Sequence, residues 1–233
     1  MNTKTTFHLI LMAVCVTFVS CHKDDLSTRS SSITSDGLLT GKIVNYVPNS
    51  IDSLSAYYTN DVGSSKVSTN GDFSIRLNVP QLEKINLLSG VTVSDTTAMG
   101  ASVNINAYLK NIDVGGLKKC NYITTDSIKA GMSYSMFFYV DKTFSVKGTH
   151  VEINGFNTRK LTVVYDVTFK KGWNELVYKI TSYSSTGLNE TTSAIYTNII
   201  TSDLQWHFFT SDKQSIRGEL SSKVKVEKIF SSK

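Results

Sequence analysis

The chain has 233 residues, with 24 Lys and Arg against 19 Asp and Glu, a formal net charge of +5 at pH 7, two prolines and three cysteines. That length allows one large or two small β-domains, each able to bury a core. The lysines are dispersed, at Lys118–Lys119, Lys170–Lys171, Lys223, Lys225 and Lys228. With no basic face interleaved with stacking aromatics, nucleic acid is not expected as a partner.

At the N-terminus, Met1 to Thr6 is short and polar, with Lys4 as its only fixed charge, and Phe7 to Val19 is apolar, interrupted only by His8 and Thr17. The apolar run falls short of the roughly 20 residues a spanning helix needs, so residues 1–20 read as a cleavable secretory signal. Phe18-Val19-Ser20-Cys21 resembles the lipobox of bacterial lipoproteins, although Phe18 stands where that family favours leucine. The resemblance implies cleavage between Ser20 and Cys21, lipidation of Cys21, and a membrane as partner through the acyl chains. Each buried methylene contributes about 0.8 kcal/mol, so two or more chains hold firmly. Residues 21–37 are rich in Ser and Thr and are expected to be a flexible tether. Lys23-Asp24-Asp25 resembles the signal with which Bacteroidetes send lipoproteins to the cell surface. An outer-membrane, surface-exposed location is therefore expected, with the periplasmic face as the alternative.

Once Cys15 leaves with the signal and Cys21 is acylated, Cys120 has no partner for an internal disulfide. It is expected as a small buried hydrophobe.

The body reads as strands and turns, rich in Val, Ile, Tyr, Phe, Ser, Thr and Asn. Phe73, Ile75, Leu77 and Val79 alternate with Asp72, Ser74, Arg76 and Asn78, and Leu161, Val163, Tyr165, Val167 and Phe169 alternate likewise. A period of two marks half-buried strands. Asn70–Gly71 suits a tight turn. Lys171-Gly172-Trp173-Asn174 separates two alternating runs, so residues 161–181 are expected to form one hairpin. Further strands are expected near 41–47, 52–58, 101–109, 134–147, 194–200, 204–209 and 223–229. The stretch 81–92 has a helical composition over one or two turns. The fold class is all-β, an antiparallel β-sandwich, either one large or two small. The organisation is an N-terminal sandwich-like part over 38–110 and a C-terminal β-rich part over 111–233.

Gly41-Lys42-Ile43-Val44-Asn45, Ile51-Asp52-Ser53-Leu54 and Asn70-Gly71-Asp72-Phe73-Ser74-Ile75 resemble the opening of carboxypeptidase-regulatory-like or transthyretin-like sandwiches. Phe138-Tyr139-Val140-Asp141-Lys142, Val146-Lys147-Gly148-Thr149, Lys170-Lys171-Gly172-Trp173-Asn174 and Leu204-Gln205-Trp206-His207-Phe208 resemble uncharacterised Bacteroidetes cell-envelope lipoproteins. Both resemblances imply a β-rich scaffold; the second also implies an envelope location. Neither brings catalytic residues.

The residues offer little for catalysis. A serine hydrolase needs a histidine base held by a carboxylate. The mature chain carries only His22, His150 and His207, and no Gly-x-Ser-x-Gly elbow. His150-x-Glu152 lacks the third ligand of a catalytic zinc site. No pair of carboxylates stands out for glycoside hydrolysis. No enzyme, cofactor or metal is therefore expected. Flat aromatic side chains instead suggest a non-catalytic binding module for glycan or protein. The candidate contacts are Trp173, Tyr139 and Tyr57, with core packing as the competing role for Trp173 and Trp206. The alternative function is a structural or adhesin-like envelope component.

Overall fold

The computed structural model describes residues 32–123, 128–154 and 158–210. The chain is all-β. The described elements are β1 (Leu38–Lys42), β2 (Ser53–Tyr57), β3 (Asp61–Lys66), β4 (Asp72–Arg76), β5 (Glu83–Lys84), β6 (Val91–Val93) and β7 (Met99–Leu109). They continue with β8 (Ile112–Cys120), β9 (Ser133–Val140), β10 (Phe144–Asn154), β11 (Arg159–Phe169), β12 (Gly172–Thr186), β13 (Asn189–Thr197) and β14 (Gln205–Thr210).

One long, unclosed sheet runs in the order β3-β2-β7-β8-β9-β12-β13-β11-β10-β6, and β1 and β4 form a separate two-stranded layer. Strand β7 is shared along its length. Its first half pairs with β9, Gly100 to Val103 against Val140 to Phe137, and its second half pairs with β8. Strand β14 adds to the outer side of β8. The sheet therefore branches at β7.

Strands β9 and β12 form a wall with apolar side chains on both faces. Phe138, Val140, Leu176, Tyr178 and Ile180 enter one core, closed by β10, β11 and β13. Phe137 and Trp173 enter the other, which is covered by β1 and β4 and floored by β2, β7, β8 and β14. At Leu109↔Ile112 a two-residue turn joins β7 to β8, with Lys110 and Asn111 both at positive φ (50° and 66°), the geometry that suits right-twisted hairpins. The cores thus divide along the β9–β12 wall, not at residue 110. The second core draws residues from both expected parts.

Three expectations are corrected. Residues 161–181 are not a hairpin. Strands β11 and β12 are joined by a tight corner at Lys170–Lys171, but β13 lies between them, parallel to β11 and antiparallel to β12. Both neighbours are long enough to bind β13 along its whole length, so pairing with it replaces direct pairing of one with the other. The helical stretch 81–92 contains no helix. Glu83–Lys84 pairs with β7 and Val91–Val93 pairs with β10, and the segment between them, with Ile85 buried, spans the two sheet edges. An extended chain bridges such a gap with fewer residues than a helix would need. The tether, expected to run to 37, is docked from Ser32 onward. Ile33 is buried and bridges Leu39, and Ser32 bonds a carboxylate of β12. The lipidation and cleavage residues Ser20 and Cys21, and the expected strand 223–229, lie outside the described residues.

Other expectations hold with shifted limits. The Asn70–Gly71 turn is present, with Gly71 at φ +81° and its N–H donated to Ser68 O. The run expected at 134–147 is two strands, broken at Asp141–Thr143.

Candidate binding face

The three aromatic candidates are not one platform. Trp173 is 5 % exposed. Its indole lies against Gly37, where a Cβ would come within 2.8 Å of the ring nitrogen, and meets Tyr139 edge-on at 5.5 Å. It is a core residue, the competing role named for it from the sequence, because the docked segment 32–37 covers its turn. Tyr139 is half-buried in the same packing. Trp206 is likewise interior, stacked on Phe137 at 5.5 Å and edge-on to Phe73 at 5.1 Å. Only Tyr57 is open, at 43 % exposure, with its hydroxyl donating to Thr59 O at 3.0 Å.

Tyr57 belongs to a broader surface. On β2, β7, β8 and β14, one set of side chains (Leu54, Ala56, Val103, Ile105, Ala107, Leu117 and Trp206) fills the second core. Side chains alternate across a strand, so the other set points away from that core. Cross-strand register arranges this outward set in rows. Ser64, Ser55, Asn106, Gly116 and Phe209 are successive neighbours across β3, β2, β7, β8 and β14. Lys66, Ser53, Tyr108 and Asp113 form the next row, and Asp61, Tyr57 and Asn104 lie in the row beyond Ser55.

Strands lie about 4.8 Å apart, so the five-strand row spans roughly 19 Å. That is long enough to lay an oligosaccharide across the strands. Gly116, itself buried, brings no side chain to the row between Asn106 and Phe209. Asn104 is exposed, and Asn106 and Tyr108 are half-exposed.

The chemistry of this face is mixed and nearly neutral. Asn and Ser supply both donors and acceptors, and Tyr57, Tyr108 and Phe209 supply flat apolar area. The charges lie at its margins, in Asp61, Lys66 and Asp113. Lys118 is the exception, and its ammonium is placed over the Tyr134 ring at 4.8 Å. The Asp61 carboxylate accepts from Ser55 Oγ at 3.1 Å and Gly63 N at 2.9 Å, which fixes the edge of the face.

Beside this face lie His207 and Cys120, both buried. Burial holds the His207 imidazole below its ordinary pKa, so it is neutral at pH 7. Burial pushes the Cys120 thiol up to about 11, and its Sγ lies 3.2 Å from Tyr122 O. The thiol is therefore protonated at neutral pH. His150 Nδ1 lies 3.0 Å from Ser89 O, at the opposite end of the molecule's sheet order. Among the described residues, no three His, Cys, Asp or Glu side chains come together as metal ligands.

The strand 101–109 was legible in the sequence. Its membership in a larger surface was not, because Phe209 and Gly116 join it only through the register of β8 and β14. No protein-family model, curated protein or solved structure matches the chain.

Proposed function

We propose that the protein is an exported lipoprotein, anchored through Cys21 and displayed at the outer-membrane surface, whose β-body binds a neutral glycan without catalysis. The observation that supports the binding reading is the outward face of β2 and β7, which is open, with the half-buried Phe209 of β14 at its margin. It presents Asn104, Asn106, Tyr57, Tyr108 and Phe209 with little net charge. Aromatic faces cover the C–H sides of sugar rings, while amides and hydroxyls exchange hydrogen bonds with sugar hydroxyls. A protein partner of ordinary size would instead bury about 800 Å² per side around a fully desolvated apolar centre. The middle of this face is polar.

Two experiments test the reading separately. For the anchor, Cys21→Ala is expected to move the protein from the membrane to the soluble fraction, and protease added to intact cells is expected to degrade the wild type. Protection until the outer membrane is broken would place the body in the periplasm. For the ligand, the soluble body is screened on a glycan array beside Asn104→Ala/Asn106→Ala. Retention of neutral oligosaccharides by the wild type and not by the double variant is the expected result. Equal retention by both would rule out this face.

A further inference from the structure

We propose that Glu175 is a clamp on the root of the N-terminal segment, so that the chain before Ser32 leaves from a fixed point on the β1–β4 side and the open face is turned away from whatever surface holds the N-terminus. The biological sense of that orientation rests on the anchored, glycan-binding reading; the clamp itself does not.

Glu175 is on β12, facing the second core, and its side chain is 0 % exposed, with Lys119 at 3 %. Lys119 Nζ donates to Oε1 at 2.7 Å and Ser135 Oγ donates to the same oxygen at 2.6 Å. The other oxygen, Oε2, accepts from the backbone N of Ser32 at 2.7 Å and from Ser32 Oγ at 3.0 Å. A buried ion pair repays its desolvation only when the remaining polar sites are also satisfied. Here the N-terminal segment helps to satisfy them. Burial by itself pushes the Glu175 carboxyl up. The Lys119 charge, its hydrogen bond, Ser135 and the Ser32 N–H outweigh that and leave its pKa below the ordinary carboxylate value.

Further bonds hold the same segment. Thr40 N donates to Ser32 O at 2.9 Å, Leu77 N to Gly37 O at 2.8 Å, and Trp173 N to Ser35 O at 3.3 Å. Residues 32–37 are thereby tied to β1, to the end of β4 and to β12. The layer order then decides orientation. The β1–β4 pair covers the second core on one side, the strands β2, β7, β8 and β14 floor it on the other, and the open face lies beyond that floor. Cys21 is eleven residues before Ser32, a reach of at most about 40 Å.

The test couples the mature chain through residue 21 to vesicles that carry an acceptor dye. A donor dye is attached through a bio-orthogonal side chain at Ser74, exposed on β4, or at Asn104 on the open face. Because coupling is imposed, the result does not depend on native lipidation or on any ligand. In the wild type, energy transfer from Ser74 is expected to exceed that from Asn104 at least twofold. Ser32→Pro removes the donor N–H and the hydroxyl but leaves Lys119, Ser135 and Glu175 in place. It is expected to abolish that difference and to raise amide exchange over residues 33–40 at least tenfold, while the body still melts cooperatively, at a lowered temperature because Glu175 Oε2 loses both Ser32 donors. Equal transfer from the two sites in the wild type would overturn the proposal, as would an undiminished difference in Ser32→Pro. Glu175→Gln serves as a second variant, expected to weaken the difference through the carboxylate itself.

Discussion

The two cores that share the β9–β12 wall are filled in different ways. The core closed by β10, β11 and β13 draws most of its members from a stretch of sequence between Phe138 and Tyr196. Its centre is aromatic: Phe144 stacks on Phe169 at 4.8 Å, Tyr165 on Tyr196 at 5.1 Å, and Tyr178 meets Tyr196 at 5.0 Å. The core under β1 and β4 is stitched from both ends of the described chain, Ile33 to Leu77 on one side and Trp206 on the other. It also contains a charged network. The first core can be assembled largely from neighbours in sequence, and the second only when distant segments meet. Specificity in the second therefore rests on polar groups that fit one arrangement, whereas the first relies on shape.

The network should show the largest difference. Glu175→Ala leaves Lys119 buried without its counter-charge, an expected loss of about 3–5 kcal/mol in urea unfolding. A loss below about 1 kcal/mol would show that the second core does not depend on the pair. The same carboxylate carries a pH signature. Its folded pKa lies below the ordinary 4.5, so its contribution is complete above the unfolded value and is lost as pH falls through the folded one. Wild-type stability should fall from about pH 4.5 downward, and the corresponding slope should be shallower in Glu175→Gln.

A smaller effect of opposite sign is expected in the aromatic core. The hydroxyls of Tyr178 and Tyr196 are buried with no hydrogen-bond partner among the described residues, and an unsatisfied buried group costs free energy. Tyr178→Phe should leave stability unchanged or raise it by up to about 1 kcal/mol in thermal unfolding. A loss greater than that would reveal a hidden partner for the hydroxyl. The smallest stability effect belongs to the outward face: Asn104→Ala/Asn106→Ala should stay within about 0.5 kcal/mol of the wild type. Its consequence is expected in glycan retention alone, so a large loss of stability would reassign those amides to the fold.

Much of the aromatic core was legible as alternation. Leu161 to Phe169 keeps its period of two in the structure, with every second residue buried. The pairing of that strand was not legible. A two-residue corner at Lys170–Lys171 looks like a hairpin, and nothing local reveals that β13 will take the place between the two strands. The same limit applies to Trp173. The sequence left it between ligand contact and core packing, and the segment that decides for the core is 136 residues earlier, at Gly37.

The sequence by itself determined the all-β class, the strand periodicity and the Asn70–Gly71 turn. These follow from local sterics and from alternation, which a strand carries with it wherever it docks. Only the tertiary structure decided which strands are neighbours, which aromatics are interior, that Lys119 and Glu175 meet, and that Ser32 closes their network. Those depend on register between segments as many as 143 residues apart, and contact at that range is a property of the packed chain, not of any window along it.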